Sequence, residues 1–432
     1  MNRRWLASSC LGFALCATAT AADTVLPRLL EGVLDDGMPV VVCPRQADGR
    51  LHVRLTLGAG RYDDRDGDAS SELLARVLAA TWRAERAQLP ALELDVSARE
   101  TAFWVSTRQD ELPAVLEGLA SLLTRADLAD PIVAEQKANL LRDLASAARS
   151  QADADFAEWA DVGAPGHPGR FSGKQRAQAA AAIDEARVLA LRSARYVPGN
   201  AVLVVAGDCE PGVVLRAARA AFQTWPRGAL PDPVGVTRPL PTASARFVAP
   251  AARSAAWCEL TLGWRVAVPT PDQIAAHDVL MALIAEGPQA RIPTLFPDAR
   301  ILRCARDEAL AAPGAMAWAL TVAGSERDAV IAKWTHVGVE LGQSGPTPAE
   351  LERARNRVRM RWSVVADRLD MLAARLASDR LWRGDARAMD VDARELAELT
   401  VADVRDAAAR WLNADAVVVT VGPGAAPRGR GR

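Results

Sequence analysis

Two stretches of this chain occur twice, in the same order. Ala194-Arg195-Tyr196 leads through Ala201-Val202-Leu203-Val204-Val205 to Gly207, and Ala409-Arg410-Trp411 leads through Ala416-Val417-Val418-Val419-Thr420 to Gly422, a separation of 409 − 194 = 215 residues. Leu55-Thr56-Leu57-Gly58 returns as Leu260-Thr261-Leu262-Gly263, at 260 − 55 = 205. Solenoid repeats run to a few tens of residues, so a period this long marks a duplicated domain. A duplicated chain can keep chemistry in one half and use the other as a wall.

The bulk properties agree with two domains. The chain has 432 residues, more than a single core usually organises, and 50% of them are hydrophobic, enough for a core in each half. The first residues read as a secretory signal peptide. Arg3 and Arg4 precede a short apolar run from Trp5 to Cys16, and Ala19-Thr20-Ala21 offers a small-x-small cleavage site. The run is too short to span a membrane, so a soluble protein, periplasmic or secreted, is expected. Removing Arg3 and Arg4 leaves 52 − 2 = 50 basic against 53 acidic residues, a balance that argues against nucleic acid as a partner. Cys43, Cys209, Cys258 and Cys304 remain, two per half, without CxxC spacing. One disulfide per half and buried free thiols are both open readings.

Pattern places the elements. Strands are expected over 38–43, 52–57 and 201–206, then over 256–265, 317–322 and 416–420. Helices are expected over 70–83, 112–123, 131–149, 183–195 and 211–222, then over 274–284, 327–341, most of 348–382 and 401–411. Pro226, Pro231, Pro233, Pro239 and Pro241 mark a linker between the halves. The expected organisation is a signal peptide over 1–21, a first domain over 22–225, the linker over 226–245, a second domain over 246–422 and a disordered basic tail over 423–432. Strands and long helices without strict alternation give an α+β class, with helices on one face of a mostly antiparallel sheet in each domain.

The motifs, taken in order, resemble the M16 metallopeptidases (insulinase, pitrilysin and processing-peptidase-like). The run from Arg195 to Asp208 is similar to the end of that family's first domain, and Phe222 to Pro226 to the helix end that follows it. Gly166-His167-Pro168 with Gly173, Gly58-Ala59-Gly60-Arg61-Tyr62 and Leu262-Gly263-Trp264 resemble three further family segments, so the likeness runs from about Leu29 to Gly422. The resemblance implies two homologous α+β domains forming half of a clam shell. A second half from another chain would close a chamber around a peptide. Active members hold zinc with an inverted HxxEH helix, two His one turn apart with a Glu base beside the second, and a further Glu on a later helix.

On that resemblance the ligand positions fall at Ser70 and Leu74, the base at Leu73, and the later Glu near Leu141 to Asp143, with Arg142 as the expected occupant. Leucine donates nothing to a metal, and serine cannot replace imidazole for zinc at neutral pH. The four histidines, His52, His167, His277 and His336, never stand in pairs at helical spacing. The family's second-domain Arg and Tyr fall at Pro297 and Cys304, and both tyrosines, Tyr62 and Tyr196, lie in the first half. Arg291, Arg300 and Arg303 are candidates to contact a substrate carbonyl or carboxylate, against a solvated basic turn. Gly287, in the loop from Glu286 to Gln289, is either a substrate contact or a helix stop.

The resemblance therefore implies a catalytically inactive subunit without catalytic residues or cofactor of its own. Its expected partners are a zinc-bearing M16 chain and peptides. An active zinc endopeptidase with a diverged site, and a stand-alone peptide-binding protein, are the alternatives.

Overall fold

The computed structural model of the protein describes residues 25–125, 127–164, 167–231, 243–266, 269–303 and 314–425. The expected signal peptide, residues 232–242 of the expected linker, Cys304 and residues 426–432 of the expected tail lie outside them.

The first half runs β1 (Leu30–Val33), β2 (Pro39–Pro44), β3 (Arg50–Leu57), α1 (Ser70–Glu85), β4 (Glu93–Val96), β5 (Thr101–Arg108), α2 (Leu112–Thr124), α3 (Asp130–Ala147), α4 (Gln151–Gly163), α5 (Gly173–Ala181), α6 (Glu185–Arg195), β6 (Ala201–Gly207) and α7 (Pro211–Phe222). The second runs β7 (Ala245–Val248), β8 (Trp257–Val266), α8 (Ile274–Ala285), α9 (Arg291–Leu295), β9 (Arg300–Arg303), β10 (Gly314–Ala323), α10 (Arg327–Ser344), α11 (Pro348–Asp367), α12 (Leu369–Arg383), α13 (Ala388–Glu398), α14 (Val401–Trp411) and β11 (Val417–Pro423). The long helical stretch from Pro348 is broken at Arg368, whose extended backbone (φ −93°, ψ 123°) separates α11 from α12. The strand β11 continues through Gly422 to Pro423, past the point where the sequence pattern places a tail.

The two sheets share a topology, except that the first has an additional edge strand, β1. The first is ordered β1-β2-β6-β3-β5-β4 and the second β7-β11-β8-β10-β9. In each, one pair is parallel, β2 with β6 and β7 with β11, and every other pair is antiparallel. The duplication is therefore real, but its register differs from that of the repeated motifs. The core pair Val53 and Val205 corresponds to Leu260 and Val421, giving offsets of 260 − 53 = 207 and 421 − 205 = 216. The motif offsets of 205 and 215 are two residues and one residue out. A slip of one exchanges the faces of a strand, so only pairing and burial fix the match.

Each half covers one face of its sheet with its own helices. In the first half, Leu51, Val53, Leu55 and Leu57 of β3 pack with Leu74, Val77 and Leu78 of α1 and Val115 and Leu119 of α2. The opposite face is covered by the other half. Helix α12 lies across β6 and β3, and its Leu372 and Leu376 share a core with Val41, Val202 and Val204. Helix α4 lies on the second sheet, where Phe156 and Trp159 pack with Ala317 and Val418. The fully buried Trp159 donates from Nε1 to the Val418 carbonyl at 3.0 Å. Gly263 of the repeated motif lies at this contact: a Cβ there would run into the Met316 carbonyl of the neighbouring strand and fall 2.8 Å from the Trp159 ring.

Polar contacts reinforce the exchange. The Glu100 carboxylate, in the turn between β4 and β5, accepts from Ser378 Oγ at 2.8 Å and Trp382 Nε1 at 2.5 Å on α12. The Arg99 guanidinium lies 3.9 Å from the Trp382 ring centroid. Asp390 of α13 accepts from the backbone N–H groups of Val25 and Leu26, both at 2.9 Å. Cys43, Cys209 and Cys258 are free thiols. Cys43 faces the α12 side of the sheet and Cys209 packs against the opposite core, so no disulfide closes the first half.

Trp159→Ala should remove about 3–5 kcal/mol, the usual cost of truncating a buried aromatic. Urea unfolding measures that loss. Hydrogen exchange should show the opening in β10 and β11 of the second half, although the substituted residue belongs to the first.

Candidate functional site

The place to look for chemistry is the start of α1, where Ser70, Leu73 and Leu74 fall. The chain enters this helix through a tight loop. Asp66 (φ 51°), Gly67 (φ 73°) and Ala69 (φ 60°) all adopt left-handed backbone, which costs energy for a residue with a Cβ and is held here by surrounding bonds. Asp68 Oδ1 accepts from the Ser70 N–H at 3.0 Å, and Asp64 Oδ1 accepts from the Ser71 N–H at 2.8 Å and Ser70 Oγ at 3.2 Å. Ser71 Oγ donates to the Gly60 carbonyl at 2.8 Å. Two carboxylates thus cap the first N–H groups of α1, where the helix dipole favours negative charge.

Arginines surround these acids. Glu72 lies 2.8 Å from Arg61 and 3.1 Å from Arg176. Asp68 pairs with Arg187 at 3.0 Å and Asp63 with Arg195 at 2.7 Å. Burial works against ionising Glu72, but the charges of Arg176 and Arg61 outweigh it and hold its carboxyl below the usual range. At Asp64 the compensation is too small. Burial pushes it up to about 6, even though the Ser71 hydrogen bonds and the charge of Arg176 favour its charged form.

Ser70, Leu73 and Leu74 are buried, with the two leucines inside the first core. Arg142 does not face α1, contrary to the expectation from sequence. It turns to solvent and bonds Asn139, while its neighbour Asp143 reaches α1 and pairs with Arg76 at 2.7 Å. One hydroxyl already bonded to Asp64 and two alkyl groups do not fit zinc. Among the described residues no group of three His, Cys, Asp or Glu side chains could hold a metal ion. His52, His167 and His277 are buried on β3, in the loop after α4 and on α8, and His336 is exposed on α10.

The second-half candidates do not converge either. Arg291 opens α9 and is tied to Glu350 at 3.1 Å and Glu340 at 3.2 Å. Arg300 sits on β9 at the sheet edge, 2.7 Å from Glu259. Arg303 ends that strand, paired through its backbone with Ala317. Gly287 (φ 85°) does stop α8, and the Arg357 guanidinium lies where a Cβ would stand. The arginine network around α1 was not foreseen from sequence. Its one signal there is the run Asp63, Asp64, Asp66 and Asp68 just ahead of a helix, a common N-terminal pattern.

Residues 182–358 match the family model described as the peptidase M16 inactive domain. No curated protein sequence matches the chain. A protease from Helicobacter pylori is similar in fold, with a TM-score of 0.77 and 16% identity over 92% of this chain and 99% of that one. A peptidase M16 inactive domain from Pseudomonas fluorescens gives a TM-score of 0.76 and 16% identity over 93% and 99%. The periplasmic protease PqqL from Escherichia coli gives 0.65 and 16% over 97% of this chain but 49% of that one, so this chain spans about half the length of PqqL.

The raised Asp64 makes a signed prediction. Its pKa is about 6 in the fold against 3.8 as the ordinary value, so the folded state binds the proton more tightly. Stability from this group is full below the ordinary value and is lost as pH rises from there through about 6. Asp64→Asn, which keeps an acceptor for Ser71, should match the parent near pH 4 and melt higher than it at pH 7. Thermal melts across that range should show the gap opening between these values. A gap independent of pH would contradict it.

Proposed function

We propose, from the match of residues 182–358 to the M16 inactive-domain model and the M16-like fold, that this chain is the catalytically silent subunit of a heteromeric peptidase. It forms half of a chamber, pairs with a zinc-bearing M16 chain and helps to hold the peptide that the partner cleaves. The observation that carries this reading is the start of α1. The position that needs two imidazoles and a carboxylate base holds buried Ser70, Leu73 and Leu74, sealed by Asp64 and Asp68. Both sheets are formed among the described residues.

Two further points support the reading. PqqL, described as a periplasmic protease, is about twice as long as the region it shares with this chain. On this reading a second half of the same kind closes the chamber. The pattern of Arg3, Arg4 and Ala19-Thr20-Ala21 supports an exported chain, periplasmic or secreted, on this reading. Among the described residues no helix is long and apolar enough to cross a membrane.

The test is metal content together with activity. The purified chain should carry no stoichiometric zinc and should not cleave fluorogenic peptides in a chelator-sensitive way. One zinc per chain, with cleavage that a chelator abolishes, would instead establish a metallopeptidase with a diverged site.

A further inference from the structure

The turn between β1 and β2 has no counterpart in the second half, because β1 is the additional edge strand of the first sheet. The turn is tight. The Leu34 N–H donates to the Met38 carbonyl and the Gly37 N–H to the Leu34 carbonyl, both at 2.9 Å, and Gly37 has a positive φ of 99°. A cavity of about 190 Å³ lies between this turn and the end of α7. Its apolar wall is Leu34, Phe222 and Trp225, all buried, with the two rings 5.9 Å apart. An apolar cavity of roughly 150 Å³ already holds benzene, so this one has room for one aliphatic side chain and the groups attached to it.

Four charged residues line the same cavity: Asp35, Asp36, Arg219 and Arg227. Asp35 and Arg219 form a loose pair at 3.9 Å, both exposed. That leaves one acid and one guanidinium. Asp36 Oδ1 accepts from the Met38 N–H at 2.9 Å, while Oδ2 is enclosed and has no hydrogen-bond partner. Arg227 donates from Nη2 to the Asp35 carbonyl. Among the described residues neither Asp36 nor Arg227 is in an ion pair, although the charge of Arg227 is felt at Asp36. Burial raises the Asp36 carboxyl above its ordinary value, against the Met38 N–H and Arg227, which lower it. A buried acceptor without a donor is costly. Helix α7 ends at Phe222 in the same wall, so the negative end of its dipole also favours a cation here.

We propose that this cavity binds a free α-amino acid with an apolar side chain. The side chain lies against Leu34, Phe222 and Trp225, the ammonium meets the Asp36 carboxylate, and the carboxylate meets the Arg227 guanidinium. The charges select the ligand. Asp35 and Arg219 balance each other, so a zwitterion leaves nothing unmatched, whereas a simple amine or a simple carboxylate satisfies one remaining charge and is repelled by the other. Both contacts are charge-assisted hydrogen bonds. Because no donor holds Asp36 Oδ2, a small turn of the carboxylate presents it to the ligand. The site uses none of the residues at the start of α1 and does not rest on the subunit reading.

Ligand-observed NMR titration of the full chain tests it. The probes are L-leucine and L-methionine, beside leucinamide, which lacks the carboxylate, N-acetyl-leucine, which lacks the ammonium, and L-glutamate, which lacks the apolar side chain. Leucine and methionine should bind, and each of the other three should bind about ten-fold or more weakly. Asp36→Asn, which keeps an acceptor for the Met38 N–H, and Arg227→Gln should each weaken leucine by about ten-fold or more. Neither change removes an apolar wall residue, so unchanged circular dichroism is expected. No binding of leucine or methionine, leucinamide or N-acetyl-leucine binding as tightly as leucine, or two variants that bind as well as the parent would each overturn the proposal.

Discussion

Each sheet of this protein is closed by a helix from the other half, and the rest of the architecture depends on that exchange. A sheet with two apolar faces needs a cover on both. The first half supplies α1, α2 and α7 for one face of its own sheet and receives α12 for the other. The second half receives α4. Trp159 on Val418, and Glu100 between Ser378 and Trp382, are the clearest contacts of this kind. Neither half can leave without uncovering the sheet of the other, so the pair behaves as one wall.

That rigidity gives a physical account of how the first half keeps its shape with Ser70, Leu73 and Leu74 at the start of α1. The start of a helix leaves N–H groups that need acceptors whether or not a ligand lies beyond them. Here Asp64 and Asp68 supply them, and Arg61, Arg176, Arg187 and Arg195 balance the charge of the acids in and around that loop. Ion pairs this enclosed add little net stability, because desolvation offsets much of their attraction. Removing one partner, however, leaves a buried charge alone. The network thus fixes the entry of α1: Glu72, Asp68 and Asp63 are paired with arginines, Asp64 accepts from Ser70 and Ser71, and Leu73 and Leu74 are core.

Much of the fold was legible in the sequence, and for identifiable reasons. Ser70 to Glu85 and Pro211 to Phe222 show the period of an amphipathic helix, and Ala201 to Gly207 is an unbroken apolar strand. The duplication could be read, but not its register, because strand pairing and not motif identity decides which residues correspond. Helix α4 carries the charges Asp153, Asp155, Glu158 and Asp161 among small residues, which hides the one stripe that meets the second sheet. The exchange of α4 and α12 leaves no local signal, since each helix is written in one half and buried in the other. At the site, the residue types at Ser70, Leu73 and Leu74 could be read from the sequence, but not the bonds that hold them. That Asp143 and not Arg142 faces α1 needed the rotation of α3, which one residue of spacing decides.

The central claim is that this chain is one side of a chamber whose chemistry lies in another chain. The most direct measurement is native mass spectrometry of the tagged chain isolated from its native cells, with sequencing of whatever remains bound. The account predicts a one-to-one complex with a single chain bearing an intact HxxEH helix. Recovery of this chain alone, as a monomer or with its own copies, would contradict it and leave peptide binding without a catalytic partner as the function.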